Sequence, residues 1–342
     1  MELNDMDANL PRLDVTFDVY SGRPNPSITL TGADAEHLLS MLAPGDEIGP
    51  ADPADPPSQL GYRGIVFDWH GTPRAGLPAT FRLIAGRLLG PGLRHWIADP
   101  SVEDLICSAQ GLAGLIWTRP EPLATLSAEL AAARTRQWWA ADESPPSTES
   151  PTPCPGAPDA ALGQWNDAKA RGLPCTQLGP DWCRQCVNNC YNYATNTRSD
   201  SFGQPGYASG FLLPPSQIAV ATVQRYSFYD GLLDATYATG TSCLGGLILV
   251  ALALDLTPGR QDYHWWRRNS DGYWSHKPGW GAATDKDSSH NLIIDPSQCN
   301  RGRYTTWGGY LVVTPGGVRI SGQPFTARTE APLPDAFRAR IL

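Results

Sequence analysis

Three side chains set far apart in the sequence, Cys190, His264 and Asp295, are of the types that together activate a thiol. A sulfur nucleophile needs an imidazole to take its proton, and the imidazole needs an acceptor that fixes its tautomer. Cys190 follows Asn188 and Asn189, both good N-cap residues, and neither proline nor glycine occurs after it until Gly203. The sequence therefore predicts a helix with Cys190 in its first turn, where unpaired amides and the positive end of the helix dipole favour thiolate. Gln185, Asn188 or Asn189 could add a side-chain amide to the Cys190 backbone N–H in holding an oxyanion. The bland alternative is a buried, inert cysteine.

The elements that must position these residues can be read from patterning. Residues 262–269 and 273–277, joined by Ser270-Asp271-Gly272, predict a β-hairpin, because Asp-Gly between aromatic-rich runs is a strong turn signal. His264 opens its first strand, and alternation puts Trp266 on the His264 side and Trp265 on the other. Asp295 ends a short strand, 291–295, closed by Pro296. Asn291, Asp285 and Asp287 compete with it as the orienting group, and His276 competes with His264 as the base. Residues 244–254 read as a buried strand, 216–229 as a helix, and 310–314 as the last strand.

Earlier in the chain, residues 13–31 predict a strand, a proline-stiffened turn and a second strand, followed by a short helix opened by Thr31-Gly32-Ala33-Asp34 and ending before Pro44-Gly45. Further strands are expected over 61–69 and 79–88, and helices over 101–111 and 122–139. The Pro/Ser-rich run from Glu143 predicts an extended linker. The expected fold is α+β in two domains: an N-terminal recognition or docking domain (1–142), a linker (143–159), and a C-terminal domain (160–342) of a helix plus an antiparallel sheet.

Composition narrows the function. The chain has 342 residues, 41% hydrophobic and 18% charged, with a net charge of −8. That balance argues for a globular chain and against a nucleic-acid partner, which needs a basic face. Its longest apolar run, 244–254, is too short to cross a membrane. The acidic N-terminus lacks the basic and apolar regions of a secretory signal, so the protein is expected in the cytoplasm or exported without a cleavable signal. Eight cysteines in a chain of this length do not define a disulfide framework.

The order Cys190, His264, Asp295 resembles the papain-like cysteine peptidases and amidases, including the NlpC/P60, CHAP and bacteriocin-processing branches. Cys190-Tyr191-Asn192-Tyr193 is similar to the papain pattern of a cysteine followed by two spaced aromatics, Gln185 is placed like the oxyanion glutamine, and Asp295-Pro296 looks like an Asp-Pro of the bacteriocin-processing branch. Gln185 lies one residue closer to the cysteine than papain has it. The resemblance implies a thiol hydrolase acting on a peptide or amide substrate without a cofactor. Cys190, His264 and Asp295 would be its triad, Gln185 or Asn189 its oxyanion donor, and Trp265, Trp266, Trp274 and Tyr191 its substrate contacts.

The competing expectation is a non-catalytic binding protein. In it Cys175, Cys183, Cys186 and Cys190 hold a structural zinc, as Cys-x2-Cys allows, and the tryptophan-rich hairpin forms a surface for a carbohydrate or protein. The N-terminal domain would be a further surface for a protein partner. The tryptophans can equally be ordinary core residues.

Overall fold

A computed structural model describes residues 11–42, 47–50, 60–74, 77–84, 86–90, 94–108, 151–160, 188–199, 201–322 and 329–330. The fold is α+β, with one sheet of eight strands and one of five.

The first sheet is built from β1 (Arg12–Phe17), β2 (Ser27–Thr31), β3 (Glu47–Pro50), β4 (Ile65–His70), β5 (Thr80–Ile84), β6 (Arg87–Leu89) and β7 (Arg94–Ile97). β1 and β2 pair antiparallel from Arg12↔Thr31 to Thr16↔Ser27, which is the predicted hairpin. Alternation in β1 sends Leu13, Val15 and Phe17 into an apolar core, where Leu38 and Leu39 of helix α1 (Gly32–Met41) cover them. Asp14 and Thr16 face the other way and are also buried; the Asp14 carboxylate is held by the Thr29 hydroxyl at 2.6 Å and the His70 ring at 2.7 Å. Helix α2 (Pro100–Cys107) starts where expected. Proline fills its first position and the Asp99 carboxylate accepts from the Ser101 N–H at 2.9 Å.

The second sheet carries β8 (Leu233–Asp234), β9 (Ile248–Asp255), β10 (Asp262–Arg268), β11 (Trp274–His276) and β12 (Thr306–Val313) in the order β11-β10-β9-β12-β8. Central β9 is buried along its whole length. One of its faces presents Val250, Leu252 and Leu254 to the short helix α3 (Cys190–Ala194) and to α4 (Val220–Tyr229). Its other face presents Ala251 and Ala253, and these small residues leave room for Trp266, Trp274 and Tyr304. The Asp-Gly hairpin forms as predicted, with Trp266↔His276 and Arg268↔Trp274 in register and Gly272 at φ +89°. Residues 291–295 make only isolated bridges, Lys286↔Leu292 and Trp274↔Ile293, in place of the expected strand.

Two connections depart from a simple N-domain, linker, C-domain order. A final strand, β13 (Thr329–Glu330), returns to the first sheet and pairs parallel with β2. Residues 151–160, expected as a free linker, lie against the β10–β11 hairpin. There the Cys154 N–H donates to the Ser270 carbonyl at 2.7 Å, the Ser270 N–H to Pro158 at 3.0 Å, and the Arg268 guanidinium to Thr152 at 3.0 Å. Cys154 is disulfide-bonded to Cys243 across 89 residues of sequence. Closing so long a loop restricts the unfolded chain, so reduction should lower stability by about 2–5 kcal/mol, read as a fall in thermal midpoint with dithiothreitol that a Cys243→Ser variant reproduces without reductant. The expected helix over 122–139, the loop after Pro50 and residues 143–150 lie outside the described residues.

Candidate functional site

The segment around Cys190 is held by its own amides. Asn189 caps α3: its Oδ1 accepts from the N–H groups of Tyr191 (3.0 Å) and Asn192 (3.2 Å). Asn192 Oδ1 accepts in return from the Asn189 N–H at 3.1 Å, which completes a capping box. The Asn189 NH2 group donates to the carbonyls of Gly22 (2.9 Å) and Gly203 (2.8 Å), so this amide is fully committed and has no donor left for an oxyanion. The helix is shorter than its proline-free sequence predicts. The Thr195 hydroxyl bonds back to the Tyr191 carbonyl at 2.8 Å, and Asn196 turns left-handed at φ +51°.

The Cys190 thiol is fully buried and donates to the Ser21 carbonyl at 3.1 Å, with the Tyr263 carbonyl at 4.0 Å. Burial drives its pKa far above that of a free thiol, and the Asp262 carboxylate pushes it further; the Trp265 N–H, Lys277 and Arg63 oppose without prevailing. A helix of five residues has little dipole to set against this.

His264 is also buried, but on the opposite face of β10. Tyr263 and Trp265 face α3 and Cys190, while His264 packs with Trp266 at 4.4 Å and with Tyr304 at 5.3 Å between ring centroids. Period-two alternation thus separates the sulfur from the imidazole by the thickness of a strand. His264 Nε2 lies 2.8 Å from His276 Nδ1, and His276 Nε2 lies 2.9 Å from the Lys286 carbonyl. A carbonyl only accepts, so His276 carries its proton on Nε2, its Nδ1 accepts, and His264 is protonated on Nε2. His264 Nδ1 is then a bare, buried acceptor, and it meets no donor. Burial first, then His276, Arg63 and Arg303, hold His264 well below the usual imidazole pKa; burial brings His276 down to about 4.

Asp295 belongs to a third neighbourhood. Its carboxylate accepts from the Tyr310 hydroxyl and, at 2.8 Å, from the Ser297 N–H, so it caps the turn after Pro296. Asp287 is similarly engaged, by the amides of Ser289, Asn291 and Asn300. The three residues expected as a triad are not brought together. Tyr191, Trp265, Trp266 and Trp274, expected as substrate contacts, are all at most 1% exposed and are core side chains. Gln185 and the zinc candidates Cys175, Cys183 and Cys186 lie outside the described residues, and among the described residues no group of His, Cys, Asp and Glu is arranged to hold a metal.

What the structure does assemble here is a junction between the two sheets. The β1–β2 turn crosses the start of β10, and the N–H groups of Ser21 (2.9 Å), Gly22 (3.2 Å) and Arg23 (3.0 Å) converge on the buried Asp262 carboxylate. Tyr304 Oη donates to the same carboxylate at 2.6 Å and Arg303 Nη2 at 3.2 Å. Gly22 is required because a Cβ there would run into the carbonyl and ring of Tyr263. Beside it, Asp18 is clamped by Arg63 (2.6 Å) and Arg82 (2.7 Å), whose charges hold its carboxyl below the usual range despite full burial. Sequence reasoning overlooked Asp262, although alternation places it on the His264 face, two residues upstream.

No protein-family model matches this chain, and no solved structure matches it. Among curated proteins, insoluble matrix shell protein 1 of Ruditapes philippinarum is 43% identical over 130 residues, which is 37% of this chain and 80% of that protein. The chain belongs to the insoluble matrix shell protein 1 family. Membership corrects the papain-like resemblance and, with it, the expected cysteine-peptidase or amidase activity: the relative is named as a matrix protein of shell, not as a hydrolase. The geometry gives the physical reason, since in this member of the insoluble matrix shell protein 1 family the sulfur is capped by a carbonyl on one side of β10 and the imidazole is paired on the other. Among the described residues, no helix is long and apolar enough to cross a membrane.

Proposed function

We propose that this protein is a non-catalytic structural protein, a component of an insoluble matrix of the kind its relative is named for. The observation that carries this reading is the 43% identity to a shell matrix protein over most of that protein's length. The buried, carbonyl-capped Cys190 supports it from a different direction. In this reading the cysteines, the histidine pair and the tryptophans build the fold, and a matrix partner meets other surfaces. The Cys154–Cys243 disulfide favours a site of action outside the reducing cytosol. Two lobes, one on each sheet, are joined through the 18–25 turn and Asp262, so that the N-terminal sheet docks first of all on its own chain.

The test is thiol reactivity. Native protein treated with iodoacetamide at pH 7 should be alkylated at Cys190 roughly 100-fold or more slowly than in urea, as followed by mass spectrometry of the Cys190 peptide. Rapid, selective alkylation of native Cys190 that disappears in His264→Ala would overturn the non-catalytic reading.

A further inference from the structure

The Cys154–Cys243 disulfide joins two segments that are held to the rest of the protein in unequal ways. The strap of residues 151–160 has ties that owe nothing to sulfur. Besides the bonds of Thr152, Cys154 and Pro158 to the β10–β11 hairpin, the Asp159 carbonyl accepts from Arg267 at 2.9 Å and its carboxylate from the Ser270 hydroxyl at 2.6 Å. The loop between β8 and β9 is anchored only as far as Ser242. Arg268 donates to the carbonyls of Gly240 and, at 3.2 Å, Ser242, and Trp274 Nε1 donates to that of Gly240 at 3.4 Å. Beyond that point, among the described residues, the one backbone hydrogen bond of residues 243–246 is internal to the loop, from the Leu247 N–H to the Leu244 carbonyl at 3.2 Å. Gly245 and Gly246 stand at φ +48° and +80° with open space where side chains would be, and the strap meets the loop there through bare backbone, Gly156 against Gly246.

Paired glycines lose more conformational freedom than any other residues when a loop is fixed, so this stretch needs an external hold. Its holds are the disulfide at one end and the partial burial of Leu244 and Leu247 on the cluster that contains Leu249 and Trp274. We propose that the disulfide is a redox clasp for residues 243–247: reduction frees the loop to lift from the Trp274 cluster while the strap stays docked on the hairpin. Cys243 is exposed and Cys154 buried, so one thiolate of a dithiol attacks the Cys243 sulfur and Cys154 leaves as thiolate. The second thiol of the dithiol then closes its own disulfide and releases Cys243. The two protons of the dithiol pass to the two cysteine sulfurs. This opening belongs to the native state and is separate from the fall in global stability, which acts through the unfolded chain. It stands whether or not the non-catalytic reading does.

Limited proteolysis with subtilisin, mapped by mass spectrometry, tests the clasp on three samples held well below their thermal midpoints. They are the oxidised protein, the same protein in dithiothreitol, and the double variant Cys154→Ser, Cys243→Ser without reductant. Cleavage within residues 243–247 should be at least about tenfold faster in both unclasped forms, because cutting follows the population of the locally opened state. Cleavage within residues 152–159 should stay within about twofold of the oxidised protein, since the strap keeps its hydrogen bonds. An unchanged rate within 243–247 would overturn the proposal. So would faster cutting of the strap, or cutting spread over both sheets, which marks global unfolding in place of a local opening.

Discussion

Replacing Asp262 with alanine should destabilise the protein by about 3–5 kcal/mol, the range for removing one partner of a buried charged network. The carboxylate accepts from the N–H groups of residues 21–23, from Tyr304 and from Arg303, all in a site with no access to water. Without it, three amides and a phenol lose their acceptor at once, and each buried donor left unsatisfied carries its own desolvation penalty. The loss should appear as a lower urea midpoint. Because the carboxylate joins the β1–β2 turn to β10, hydrogen exchange should rise in both sheets, not only in the second. Asp262→Asn, which keeps the shape, should recover only part of the loss, since its NH2 group would point a donor at donors. A midpoint within 1 kcal/mol of wild type would mean that the turn is held by packing alone.

Acid should weaken the fold from about pH 6.5 downward through His264 and His276. A histidine in the unfolded chain takes a proton near pH 6.5. In the folded protein His276 does so only near pH 4, and His264 is also held well below its usual value. As the pH falls below about 6.5 the unfolded state binds protons that the folded state refuses, so stability declines; the share from His276 is complete near pH 4, and that from His264 continues below it. For His276 alone the gap corresponds to about 3 kcal/mol. The groups facing the pair work in both directions: Arg63 and Arg303 oppose protonation, while Asp287 and the Lys286 carbonyl favour it on His276. His276→Gln should flatten the curve of urea midpoint against pH across this window. If the curve is unchanged, the pair is not the source of the acid sensitivity.

Much of the fold was legible because it rests on local rules. Ser270-Asp271-Gly272 forms its turn, Asn189 caps its helix, and 244–254 covers all but the last residue of the central strand. Alternation along β10 was also correct in placing Trp265 and Trp266 on opposite faces. The same rule bore on the site, because Cys190 packs with Tyr263 and Trp265, and a residue between those two must point away from it. What could not be read was long-range. Nothing in the spacing of Ser21-Gly22-Arg23 says that three amides will close on a carboxylate some 240 residues later in the sequence. Nor does Cys154, set among prolines, name Cys243 as its partner, since disulfide connectivity does not follow from spacing. Burial of Trp266 and Trp274 is likewise set by Ala251 and Ala253 on a neighbouring strand rather than by the hairpin itself.

The parallel pairing of β13 with β2 has a consequence for biogenesis. The strand that borders the first sheet is residues 329–330, so a nascent chain on the ribosome cannot finish that sheet until some 300 further residues have followed β2. The half made earliest must wait with an open backbone edge at Ile28 and Thr29, a ready template for pairing with another unfinished copy. Recombinant production should therefore lose more chain to aggregation when copies are translated close together.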